Sequence, residues 1–511
     1  MAEQQVGLLG AQGGNDATPA ALGPAEKKAR RNKTVLMLMG LSALNGVLWP
    51  WSIWEQRVAQ HLDDSSECQL DPGQCADFGS AIIFSLLAGL GPLCGLVVGP
   101  MLGARRAKPT TLARLATALH VFGFLCGALA MHLRANWLLI VGFGVFCGIG
   151  SGIGFVVTVL MLVQWFVYAG GKPGTGSGFQ GVCDPVMAII FSQTQYWLLY
   201  ADVGVDGVAR ASEVPLSVVM LIMAAAVTCL TMPACLWLEM PPLDNPTTGG
   251  VSSPVTRSTL ARRDIVRTST YWIFMLCLLV GEVPGWSLQS FIAPLVSSSL
   301  HSPPYYSTCI LSAFLLVFSI GRLCMGILGD KIGAIRVWQC ATLCQAGCTV
   351  GFALLFNQRE EAFVGVLVVT AVVGACFSAI KVSVPGILAQ AWGHPAHVSP
   401  VMGATGPSIG LSVLAGANGL YYAQRDGTSI TFFYICAAMS VASCVVVTFL
   451  PKPPQDLPGL QVMVSESDAE KAATGGFQRP KTLSELNPYE SFSVDVSAPR
   501  EFSLSPAHTS S

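Results

Sequence analysis

About twelve stretches of this chain are apolar over twenty residues or more, and that leaves few folds open to it. A helix needs about 20 residues to cross the hydrocarbon core of a bilayer, and only helices and closed barrels satisfy their own backbone polar groups there. The runs fall at roughly 34–54, 78–103, 111–131, 137–163, 174–200, 214–238, 270–293, 308–329, 336–356, 362–390, 400–422 and 428–450. Charged residues make up only 11% of the 511, and the mean hydropathy is +0.57. A soluble domain carries about 25% charged residues, so lipid is the expected solvent. The fold class read from the sequence is an all-α membrane protein of about twelve transmembrane helices.

The net charge of -1 supplies no global field for nucleic acid or an anionic surface. Basic residues are instead sorted by position. They cluster at Lys27, Lys28, Arg30, Arg31 and Lys33, at Arg105, Arg106 and Lys108, at Arg257, Arg262, Arg263 and Arg267, and at Lys331 and Arg336. The intervening loops hold single arginines. This bias predicts cytoplasmic termini and a cytoplasmic central loop. The expected division is a cytoplasmic N-tail (1–33), six helices (34–239), a linker (240–269), six more helices (270–450) and a disordered cytoplasmic C-tail (451–511), which is polar and rich in Ser and Pro. Met1 to Pro24 lacks a signal-peptide pattern, so the first helix is expected to act as the signal. The plasma membrane is the expected location.

The 17 cysteines sit mostly within apolar runs and show no zinc-ligand spacing. Cys68 and Cys75 share an acidic loop predicted to face the oxidising side, where they pair as a disulfide or stand as two thiols. No metal, cofactor or enzyme motif is found. Gly148, Gly150, Gly152 and Gly154 follow no strand and lie within a membrane run, so they are not a dinucleotide fingerprint. They form two interlocked small-xxx-small pairs suited to close helix packing. Three landmark pairs, Gly99 with Gly326, Trp165 with Trp392 and Gly176 with Gly403, are each 227 residues apart, which fits two similar halves. Carriers built from such repeats bind substrate between the halves near mid-membrane.

Gly326-Ile-Leu-Gly-Asp330-Lys331-Ile-Gly333-Ala-Ile-Arg336 resembles the loop signature of the major facilitator superfamily. Its Asp at a helix end is expected to pair with nearby basic residues and hold a cytoplasmic gate. The corresponding place in the first half keeps Gly99, Arg105 and Arg106 but has no Asp. Gly148 to Gly154 leading into Gln164-Trp165-Phe166, the segment Gly174 to Gly181, and Asn45-Gly46-Val-Leu-Trp49-Pro-Trp51 resemble the monocarboxylate transporter and oxalate/formate antiporter branch. The superfamily resemblance covers about 34–450 and implies a carrier that works by alternating access.

Ionised groups inside the runs are the sharpest signal. Each costs roughly 2.5–3.5 kcal/mol at mid-membrane on insertion scales, so each needs a partner or a cavity. Arg322 and Lys381 are the two basic residues well within runs; Glu282 and Asp184 are the acidic ones singled out. Arg322 precedes Asp330 by eight residues, or roughly 12 Å of helix. The resemblance places Glu282 and Lys381 toward the pore. It also matches Arg322, four residues before Gly326, to the arginine that binds a substrate carboxylate in the branch. A guanidinium suits that role because its planar fork grips a carboxylate with two hydrogen bonds. Phe318 stands where the monocarboxylate transporters carry an Asp, which leaves their proton route without its acid here. Lys381 is then either a second anion contact or the counter-ion of Glu282. Arg322 has a structural alternative, as a cation satisfying helix ends near the gate. Asp184 is either a coupling group or a buried, hydrogen-bonded residue. His120 reads as a core residue. Trp49, Trp51 and Trp54 are expected to anchor the membrane interface, with stacking on a ring-bearing substrate as the alternative.

Three functions stay open at this point. The first is a carrier of a small, monocarboxylate-like organic anion, bound by Arg322 and Lys381, with Glu282 or Asp184 coupling transport to a proton. The second is a carrier of an amino acid or vitamin-like solute, with Glu282 holding an ammonium group. The third is a transport-incompetent sensor acting through the C-tail. The partners expected are a small-molecule substrate and the lipid bilayer, and no nucleic acid.

Overall fold

A computed structural model describes residues 23–62, 80–103, 105–169, 173–203, 209–242, 266–300, 304–355, 363–392 and 402–450. Cys68 and Cys75, most of the central linker and the C-tail from 451 lie outside the described residues. Twelve helical rods run through the rest. The first is built from α1 (Pro24–Leu41), α2 (Ala43–Gly46) and α3 (Trp51–Leu62). Then come α4 (Ser80–Gly103) and α5 (Pro109–Leu133). The fourth rod is α6 (Asn136–Leu138), a π-helical segment (Leu139–Cys147) and α7 (Gly148–Tyr168). The remaining eight are α8 (Pro173–Leu199), α9 (Leu216–Trp237), α10 (Ser269–Leu300), α11 (Pro304–Ile332), α12 (Ala334–Leu355), α13 (Phe363–Trp392), α14 (Gly406–Arg425) and α15 (Ser429–Thr448).

Ten rods are long and apolar enough to cross a membrane on length and composition. The two less apolar ones, α8 and α14, carry Gln180 and Asp184, and Ser408, Ser412 and Asn418. The polarity that lowers their hydropathy is turned inward, since all but Asn418 of these five are 3% exposed or less. Leu129, Ile320, Val368, Leu411 and Val445, by contrast, are about half exposed on the outer surface. That inside-out distribution is what a lipid solvent selects.

The architecture is the all-α membrane bundle expected, and two details go beyond the sequence reading. A short antiparallel hairpin, β1 (Tyr200–Val203) with β2 (Ala209–Ala211), lies between α8 and α9. The first rod also begins at Pro24 and not near residue 34. Proline suits a first helical position, where no backbone N–H bond is needed. Arg30 pairs with Glu26 one turn away at 2.9 Å. Lys27 and Arg31 rest over the rings of Tyr168 and Phe166, at 4.3 and 4.9 Å from their centroids.

Small residues set the rod spacing. A Cβ on Gly152 would overlap the backbone of Gly91, and one on Gly148 would lie 2.6 Å from the carbonyl of Leu86. Those two glycines therefore face α4. Gly150 and Gly154 face the other way: a Cβ there would meet the Ala116 carbonyl at 2.7 Å and the Leu44 Cδ1 at 2.6 Å. One helix thus packs tightly on two sides. Rods early in the chain are tied to late ones by α8 on α11, α4 on α14 and α3 on α10.

Candidate functional site

The charged residues singled out by sequence line one central cavity. Arg322, Lys381, Glu282 and Asp184 all reach it, from α11, α13, α10 and α8. The first rod contributes where it is broken. Pro50 has no N–H and disfavours a helical Trp49, so the chain turns between α2 and α3 and presents Asn45 and Trp49 to the cavity. The Asn45 side-chain oxygen accepts a hydrogen bond from Ser151 of α7.

Two clusters form within the cavity. In the first, Lys381 Nζ lies 2.6 Å from Glu282 Oε2. The same oxygen accepts from Trp286 Nε1 at 3.1 Å, and from Ser412 Oγ of α14 at 3.5 Å. Lys381 also stands over the Trp286 and Phe377 rings, at 4.5 and 5.2 Å. A desolvated ammonium gains about 2 kcal/mol from such a face. Glu282 Oε1 has no hydrogen-bond partner.

In the second cluster, Arg322 is 6% exposed and donates from Nη1 to Gln180 Oε1 at 3.2 Å. Gln180 Nε2 in turn donates to Asp184 Oδ2 at 2.9 Å. The amide thus stands between cation and carboxylate, so Arg322 and Asp184 are linked without an ion pair. Arg322 Nε and Asp184 Oδ1 have no hydrogen-bond partner. The guanidinium lies 4.6 Å from the Phe318 centroid. Gly181 makes this possible, because a Cβ there would overlap the Arg322 side chain from Cβ to Cδ.

An aromatic belt joins the two clusters. Trp49 and Phe318 have centroids 5.6 Å apart, Phe318 and Phe377 5.4 Å, and Phe377 and Trp286 5.5 Å. Trp49 is therefore a cavity residue. Trp51 and Trp54 are each only 2% exposed, and Trp51 packs 5.4 Å from Phe143 of the π-helical segment. The interface role expected of these tryptophans is corrected, because the break at Pro50 turns them into the protein. His120 is fully buried beside Phe124, in the core and away from the cavity.

The loop signature falls at the end of α11. Gly326 is buried, whereas Asp330, Lys331 and Arg336 are exposed. Gly333 adopts φ 95°, a conformation that suits glycine, and it joins α11 to α12 with almost no loop.

Sequence reasoning missed Gln180, Trp286, Gln289 and Phe377. Gln180 sits four residues before Asp184, and Trp286 four after Glu282. One helical turn from a singled-out charge was the signal available. Phe377 sits four before Lys381 in the same way, and nothing so near marks Gln289, seven residues beyond Glu282.

The sequence model of the family described as the Major Facilitator Superfamily matches this chain over residues 33–417 and again over 284–480. Solved structures share the fold. The human organic anion transporter MFSD10 (TETRAN) is 13% identical, with a TM-score of 0.57 over 81% of this chain and 99% of its own. FucP, a major facilitator transporter in its outward conformation, is 14% identical, with a TM-score of 0.51 over 81% and 98%. A second FucP structure, titled as the fucose:proton symporter of E. coli, gives 14% and 0.51 over 82% and 100%. At these identities the likeness is one of fold.

Proposed function

The chain belongs to the major facilitator superfamily, a family of transporters, and from that premise we propose that it carries a small organic anion by alternating access, with Arg322 as the carboxylate contact. One observation supports this most. Arg322 is a buried cation in the cavity whose hydrogen-bond partner is a neutral amide, and whose Nε is unmet. A buried cation with acids nearby but no direct ion pair is incompletely compensated, and a carboxylate entering the cavity supplies the direct partner. Lys381 is held by Glu282 and contributes less directly. The branch resemblance to monocarboxylate carriers agrees with this reading.

Coupling to a proton, on this reading, falls to Asp184 and not to Glu282. Glu282 is tied in an ion pair, while Asp184 faces the cavity with Oδ1 unmet. The halves rock about the cavity, with Asp330, Lys331 and Arg336 latching the cytoplasmic side. Both termini are cytoplasmic, and the membrane is the plasma membrane.

The test is uptake of labelled carboxylates and amino acids into cells expressing the protein, at two pH values, beside Arg322→Ala at equal surface level. Uptake of a carboxylate that the variant loses is the expected result. Equal uptake by both forms assigns Arg322 a structural role and overturns the proposal. A second reading, transport of an amino acid, draws on the unmet Glu282 Oε1, which could take an ammonium group. Competition by amino acids in the same assay would favour it.

A further inference from the structure

The cavity holds a polar side chain that the anion reading does not use. Gln289 lies on α10 seven residues beyond Glu282, with Trp286 between them, and all three line the cavity. It is 0% exposed, and neither its Oε1 nor its Nε2 has a hydrogen-bond partner. The other buried glutamines differ. Gln180 uses both ends of its amide on Arg322 and Asp184. Gln195 donates to the Val47 carbonyl at 3.0 Å, and Gln345 to the Gly281 carbonyl at 3.0 Å. Buried polar groups are satisfied as a rule, so an amide unmet at both ends and lining a cavity marks a place for a ligand atom. A side-chain amide offers a donor and an acceptor. Its complement is a neutral group that both gives and takes a hydrogen bond, such as a hydroxyl.

The path from Arg322 to Gln289 is aromatic. The belt begins at Phe318 beneath the guanidinium and passes through Phe377 to Trp286, one turn from Gln289. Stacked and edge contacts with such rings favour a flat, apolar body over a short aliphatic chain.

We propose that the carried anion is amphipathic: its carboxylate sits at Arg322, an aromatic body lies along the belt, and a distal hydroxyl or similar neutral group bonds to Gln289. This rests on the reading of Arg322 as the carboxylate contact and narrows the substrate class within it. Gln289 then discriminates between otherwise identical aromatic acids, because an acid without the distal group leaves the amide unmet in the loaded cavity.

The test is binding to the purified full-length protein in lipid nanodiscs, measured by calorimetry. The probes are three pairs of acids, with and without a para-hydroxyl: phenylacetate, 3-phenylpropionate and 4-phenylbutyrate. The series varies the distance from carboxylate to hydroxyl. In at least one pair the hydroxylated acid is expected to bind about tenfold tighter, the scale of one buried hydrogen bond. Gln289→Leu should bring that pair to within about twofold. Gln289→Met is the second variant, and an unchanged melting temperature shows that either one has folded. Phenyl acids that bind in an Arg322-dependent way with no hydroxyl preference overturn the Gln289 assignment and leave the anion reading standing. A preference that survives both variants also overturns it. Binding of lactate but of no phenyl acid removes the aromatic body from the proposal. If no carboxylate binds, both this inference and the reading beneath it fall.

Discussion

Lys381 Nζ and Glu282 Oε2 meet at 2.6 Å across 99 residues of sequence, and Trp286 Nε1 bonds to the same oxygen. The pair joins α13 to α10 beside the cavity, with Glu282 fully buried. Such a pair is costly to break and cheap to replace as a whole, because removing one partner strands the other charge. Glu282→Gln or Lys381→Met alone should therefore destabilise the protein by about 3–5 kcal/mol. The double variant should recover most of that loss. Melting temperature in detergent and surface abundance are the measurements. A double variant no better than the worse single one would contradict the pairing.

Arg322 tests geometry as well as charge. Arg322→Lys keeps the cation and loses the planar fork, the hydrogen bond to Gln180 and the flat face on Phe318. Uptake efficiency should fall by at least about tenfold, the scale of one charge-assisted hydrogen bond, with surface level unchanged. Wild-type uptake by the lysine variant would mean that only a positive field is needed.

Two glycines on α8 separate helix packing from site geometry. A Cβ on Gly178 would lie 3.3 Å from the Arg322 carbonyl and 3.5 Å from Leu323 Cα, distances that a small shift relieves. A Cβ on Gly181 would overlap the Arg322 side chain itself. Gly181→Ala should abolish uptake much as Arg322→Ala does, and Gly178→Ala should retain most of it. Comparable uptake in the two alanine variants would show that Arg322 can move aside at no functional cost.

Asp184 and Glu282 divide the acidic roles. Asp184→Asn should flatten the dependence of uptake on external pH, because its carboxylate faces the cavity without a direct cation. The residual uptake of the Glu282→Gln, Lys381→Met double variant should keep its pH response. Transport rates across a pH series decide this, and an unchanged profile in Asp184→Asn removes it from the coupling role.

The membrane architecture was legible because lipid imposes it on each segment separately. Each of the twelve apolar runs overlaps one rod, and most ends agree to within a few residues. The largest departure is the start at Pro24, where the opening turns of the helix, polar on every side, gave no hydropathy signal. The four charged residues of the cavity were legible for a related reason. A charge in an apolar run is conspicuous on its own, whatever surrounds it.

What the sequence by itself determined is therefore solvation: which segments belong in lipid, where the chain turns, and which charges need company. Only the tertiary structure decided whose company. Lys381 pairs with Glu282, Gln180 stands between Arg322 and Asp184, and Phe318 lies beneath the Arg322 guanidinium. The break at Pro50 sends Trp49 into the cavity and Trp51 into the core. These outcomes depend on how each rod is rotated and how close it comes to its neighbours. Glycines such as Gly152 and Gly181 set those distances through contacts with residues far away in the chain. Hydropathy is summed along one segment and holds no term for such contacts, and rods that are apolar on every side show no face that would reveal their rotation.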